Sequence, residues 1–206
     1  MGNAWGQAMN DGNPLTRVLG PPARLLALAG GWWLLFLSFV TCFEIIGRKL
    51  LGFSLQGIDE VGGYTTAVVS SLAFAWALVT KSHTRVDFLL AHMPEWLRAF
   101  LNALAYALLA GFGVFASLRG WAVLEETIEF DAHAITPLGT PLWIPQSLWL
   151  AGIVVFAAIA VLLALHAAWL LVTDRRRVNQ LYGPMTLDEE VAIEASAIAK
   201  RQEGTP

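Results

Sequence analysis

Four stretches of this chain are each long enough to cross a lipid bilayer and almost free of charge. A membrane-crossing helix needs about 20 mostly apolar residues. Windows 25–46, 61–79, 97–118 and 147–172 all qualify. In hydrocarbon, backbone N–H and C=O groups must be satisfied within the segment, so such windows fold as helices. The sequence therefore predicts an all-α integral membrane protein with four transmembrane helices. The first window is longer than the roughly 7–15 apolar residues of a signal peptide, and no small-residue cleavage site follows it. It reads as a retained helix.

Composition agrees. The chain is 56% hydrophobic with only 14% charged residues, against about 25% in soluble domains. A net charge of −3 offers a nucleic acid no electrostatic attraction. Cys42 is the one cysteine, so an internal disulfide and any site built from cysteine pairs are excluded.

The basic residues are unevenly shared. Arg17, Arg24, Lys81, Arg85, Arg98, Arg175, Arg176, Arg177, Lys200 and Arg201 fall on one side of the four windows. Only Arg48, Lys49 and Arg119 fall on the other. The positive-inside rule then places both termini in the cytoplasm. The expected organisation is a cytoplasmic segment over 1–24, a membrane domain over 25–173 and a cytoplasmic tail over 174–206. Within the tail, Thr186 and Glu189 match a capping box, so 186–202 reads as a short helix or a loosely ordered tail. Trp96, Trp121, Trp143 and Trp149 fall near the expected interfaces. After the third window the chain stays free of helix breakers to Phe130, then meets Pro137, Gly139, Pro141 and Pro145. This predicts a helical extension, an ordered turn, and a fourth helix with Pro145 in its first turn.

Small residues four apart mark faces where membrane helices approach closely. The second window carries Gly63, Ala67, Ser71 and Ala75, the third Ala99, Ala103, Ala107 and Gly111, and the fourth Ala160, Ala164 and Ala168. Such faces would pack on each other or on a partner.

Chemistry-bearing residues are scarce inside the spans. Glu44 and His166 lie near window ends. No window is broken centrally by proline, the usual pointer to a transporter ion site. Of the four histidines only His166 lies within a window, whereas a haem-binding bundle needs histidines facing one another. No catalytic motif, metal site or cofactor is expected. The remaining polar residues crowd the membrane edges. Glu44 and Arg48 are one helical turn apart and suited to pair. Asp59 and Glu60 open the second window, where negative charge favours a helix N-terminus. His83 and Asp87 close it, and Glu125, Glu126, Glu129 and Asp131 form an acidic run after the third.

Taken in order, Glu44-x-x-x-Arg48, Gly57-x-Asp59-Glu60 and His83-x-Arg85-Val86-Asp87, with "TPLGTPLWIPQSLW" before the fourth window, resemble the DctQ-like small membrane subunit of tripartite ATP-independent periplasmic (TRAP) transporters. The resemblance covers about 24–174. It implies a non-catalytic bacterial inner-membrane subunit that scaffolds a separate large multispanning subunit and helps dock a periplasmic solute-binding protein. The transporter would be sodium-coupled and import an organic acid or similar carboxylate. Glu44, Arg48, Gly57, Asp59, Glu60, His83, Arg85 and Asp87 would then be structural and interface positions, surrounded by membrane lipid and the partner. The alternatives are a four-helix anchor subunit of a redox complex and a stand-alone small transporter or channel.

Overall fold

The computed structural model describes residues 13–81 and 93–183, with Ala195 and Ile198 beyond them. His83, Arg85 and Asp87, and nearly all of 186–202, lie outside the described residues. The described residues form four long helices and one short one: α1 (Pro14–Leu50), α2 (Ile58–Val79), α3 (Glu95–Glu129), α4 (Trp143–Thr173) and α5 (Arg175–Tyr182). The first four are long and apolar enough to cross a membrane.

The helices overrun the expected spans, and local chemistry explains where they stop. Asn13 caps α1: its side chain accepts a hydrogen bond from the Leu15 N–H at 3.1 Å, and Pro14 takes the first helical position. Pro21 and Pro22 sit inside α1, depriving the Arg17 and Val18 carbonyls of their donors. The helix nevertheless runs on to Leu50. Thus 14–24, expected as part of a separate N-terminal segment, is the first part of a 37-residue helix. At the other end of the chain, Asp174 is extended, with φ −152° and ψ 91°. It stops α4, and its side chain caps α5 at the Arg177 N–H.

The short α1–α2 and α3–α4 connections make each of those helix pairs antiparallel. One end of the molecule carries the α1–α2 loop (51–57) and the α3–α4 loop (130–142), and is here called the loop end. The other carries the start of α1, the start of α3 and α5, and is here called the terminal end.

Packing does not follow chain order. The helices form a row α1–α2–α4–α3, in which α4 lies between α2 and α3 while α2 and α3 scarcely touch. Phe156, Ile159, Ala160, Leu163, Ala167 and Leu170 of α4 supply the largest share of the buried core. They meet Ala75, Leu78 and Val79 on one side and Ala99, Ala103, Tyr106 and Ala110 on the other. Close approach is built from small residues. A Cβ on Gly152 would lie 2.1 Å from Ser71 Oγ, and one on Gly113 would lie 3.0 Å from Ala157 Cα.

Only part of each expected small-residue stripe is buried within the chain. Of Gly63, Ala67, Ser71 and Ala75, only Ser71 and Ala75 are buried within the chain; Gly63 and Ala67 are exposed. On α3, Ala99 and Ala103 are buried, whereas Ala107 and Gly111 are exposed. On α4, Ala160 is buried, Ala164 half-buried and Ala168 exposed. At 3.6 residues per turn, a constant step of four drifts about 40° round the helix each time. The buried positions instead alternate steps of three and four: 99, 103, 106, 110, 113 on α3 and 160, 163, 167, 170 on α4. That alternation keeps one face toward the neighbour.

α1 is the outlier. Only 6% of its most apolar stretch is buried within the chain. Among its contacts with α2, the Trp33 indole N–H donates to Thr65 Oγ1 at 3.1 Å, and Val69 packs over Gly30. Trp32, Phe36 and Phe39 face outward.

Candidate functional site

Polar side chains gather at the two ends of the row. At the loop end, Glu44 is buried, although it lies on the last turns of an apolar helix. Carboxylates there oppose the negative end of the helix dipole, so partners are needed. Ser54 Oγ donates to Glu44 Oε1 at 3.0 Å, and Arg48 Nε lies 3.6 Å from the same oxygen. Phe53 folds back over Gly47, where a Cβ would sit 2.4 Å from its ring. The 51–57 loop is thus pinned to the end of α1 by the Ser54 hydrogen bond and the Phe53 ring. The Arg48 side chain stays exposed.

Gly57 precedes α2 with φ +88°, a left-handed conformation, and Leu138 of the α3–α4 loop packs directly on it. Neither Asp59 nor Glu60 caps α2; its N-cap is Gly57, which has no side chain to offer. Asp59 is exposed. Glu60 turns sideways instead. It accepts from the Tyr64 hydroxyl at 2.9 Å and from Thr136 Oγ1 in the α3–α4 loop. That loop folds on itself: Ala134 N–H donates to the Thr140 carbonyl, and Leu142 N–H to that of Ala132, both at 3.0 Å. Gly139 closes its tip at φ +56°. The connection is therefore a tight hairpin latched to α2. It presents the exposed Phe130, Ile135 and Leu138, and beside it run the exposed Glu125, Glu126, Glu129 and Asp131.

At the terminal end, α5 turns back beneath α3 and α4. Val178 and Tyr182 are fully buried. The Tyr182 ring meets Tyr106 edge-on at 4.9 Å, and its hydroxyl hydrogen-bonds with Nδ1 of His166. Burial pushes the Tyr182 hydroxyl up to about 12. Asn179 bridges to α3, accepting from Asn102 Nδ2 and donating to the Glu95 carbonyl, both at 3.1 Å. His166 and His133 stand at opposite ends of the row, and among the described residues no group of three or more His, Cys, Asp or Glu side chains could hold a metal ion. Cys42 is exposed. These arrangements fasten loops and helices.

Sequence reasoning found Glu44, Arg48, Gly57 and Glu60 but not Ser54, Thr136 or Leu138, which reach them from other segments. It also missed α5, although the signal was present. Asp174 is a capping residue, Val178, Leu181 and Tyr182 mark one helical face, and Gly183 follows.

One family model matches, over residues 37–172: "Tripartite ATP-independent periplasmic transporters, DctQ component". The matched stretch holds the whole loop end and stops before α5. No curated protein and no solved structure matches the chain.

Proposed function

The chain belongs to the DctQ components of tripartite ATP-independent periplasmic transporters, and on that premise we propose that it is the non-catalytic scaffold of a sodium-coupled importer for an organic acid or similar carboxylate. In this reading a separate large multispanning subunit carries substrate and ion. A periplasmic solute-binding protein docks above both. The present chain lies in the bacterial inner membrane with both termini in the cytoplasm. Its terminal end carries Arg17, Arg24, Lys81 and Arg175–Arg177, which supports that orientation.

The observation that carries the scaffold role is the open row. A helix row buries little of its own apolar surface. The most apolar stretch of α1 in particular is almost wholly unburied within the chain, and the exposed Gly63 and Ala67 leave room on α2 for another helix to come close. The latched 130–142 hairpin and the 51–57 loop would then form the shoulder against which the binding protein settles.

The test is co-expression with the large subunit from the same genome. A tag on this chain should retain a much larger multispanning protein, and deletion of this chain should abolish uptake. Arg48→Ala should reduce the yield of the complex and leave substrate affinity of the binding protein unchanged. Stable purification of the chain alone, with uptake intact after its deletion, would refute the reading.

A further inference from the structure

At the terminal end, α3, α4 and α5 leave an open cleft of about 640 Å³, whose walls include Glu95, Trp96, Val172, Asp174, Arg175 and Arg176. We propose that this cleft binds an anionic phospholipid, with the lipid phosphate on Arg175 and an acyl chain along Val172 and Trp96.

The walls change character over a very short distance. Val172 is 89% exposed, beside the end of a spanning helix, and Trp96 is exposed on the first turn of α3. Three residues after Val172 the chain becomes Arg175–Arg176–Arg177. A phospholipid has the same profile, acyl chain first and phosphate next, and an exposed Trp suits that boundary.

The arginines are not equivalent. Arg176 Nε lies 3.7 Å from Glu95 Oε1, and Arg177 Nε lies 3.3 Å from Asp174 Oδ2. Among the described residues Arg175 has no acidic partner, and it is exposed beside the cleft. A guanidinium matches a phosphate in geometry as well as in charge.

The same inventory separates a lipid from a free anion. Two carboxylates and two guanidiniums line the cleft, so its pull on a soluble anion from a distance is weak. A lipid is already held at this depth by the bilayer, so one unneutralised arginine suffices to favour an anionic headgroup.

The experiment uses the full chain in a neutral detergent, titrated with phosphatidylglycerol, with phosphatidylcholine of the same chains, or with inorganic phosphate. Thermal unfolding is followed, because a ligand that binds the folded state raises the midpoint. Phosphatidylglycerol alone should raise it. Arg175→Gln should weaken the apparent affinity about fivefold, Arg175→Lys should keep most of it, and Arg177→Gln should leave it unchanged. An equal shift with phosphatidylcholine overturns the proposal, as does an equal shift with inorganic phosphate or an unaltered response in Arg175→Gln. Native mass spectrometry of the unmutated chain gives a reading independent of the variants. Selective retention of phosphatidylglycerol supports the site, and equal retention of both lipids overturns it.

Discussion

Glu60 on the first turn of α2 and Thr136 in the α3–α4 loop are hydrogen-bonded across 76 residues of sequence. This bond joins the start of α2 to a loop that the chain order leaves independent of it. Replacing Glu60 by Ala should free the 130–142 hairpin without unfolding the protein, since the buried core lies toward the other end. Hydrogen exchange is the direct readout. The amides of Ala134 and Leu142 should exchange about fivefold faster, the equivalent of about 1 kcal/mol. Thr136→Val should do the same, and the double variant should add little to either.

Gly57 and Gly52 separate two effects of a side chain. Both have positive φ, but only Gly57 is crowded, with Leu138 Cδ1 2.1 Å from where a Cβ would be. Gly52→Ala should cost about 1 kcal/mol of stability from backbone strain alone. Gly57→Ala should cost more, by about 1–3 kcal/mol of overpacking. Pairing it with Leu138→Ala should recover the steric part. Denaturant midpoints in detergent measure all three.

The α2–α4 crossing makes a third test. Gly152→Val should force α4 away from Ser71 and the adjacent backbone, lowering stability by about 1–3 kcal/mol. Gly111→Ala, at an exposed point of α3 with open space around it, should be neutral or slightly stabilising. Equal effects of the two would mean that the row order is wrong.

Alkaline pH should release α5 before it harms the spans. The Tyr182 hydroxyl is raised to about 12 by burial, against about 10 in an unfolded chain. A phenol whose folded value is raised contributes stability that is fully present below pH ~10 and is lost as pH rises toward about 12. Phenolate absorbance should show a late-titrating component that shrinks in Tyr182→Phe. Tyr182→Ala should detach α5 at neutral pH, with loss of the Tyr106 and His166 contacts.

Gly63 and Ala67 test the partner face. Both are exposed within the chain, so Gly63→Leu should leave the isolated protein as stable as before. Its capture of the large subunit should fall severalfold, because a bulky residue holds helices apart.

The spans were legible because hydrocarbon demands long apolar helices, and few other sequences produce that pattern. The Glu44–Arg48 pair was legible because it is one turn long. Small residues four apart only partly coincide with the faces buried within the chain. That spacing rotates off the contact line, as the exposed Ala107 and Ala168 demonstrate. Glu60 was found by its charge and its place at a helix start, yet its role depends on Thr136, which only tertiary structure brings near. α5 escaped because three arginines at its start read as a topology signal and masked the apolar Val178, Leu181 and Tyr182 behind them.

The central place of α4 has a consequence for how the molecule is made. Spanning helices emerge from synthesis in chain order, yet the helix on which α2 and α3 both pack emerges last of the four. Until Trp143–Thr173 enters the bilayer, α1 and α2 form a pair and α3 stands without its main neighbour. If the spans enter the bilayer in chain order, α4 takes its place between helices already present. In that order, a ribosome paused before residue 143 would hold α3 without the helix that makes its main contact.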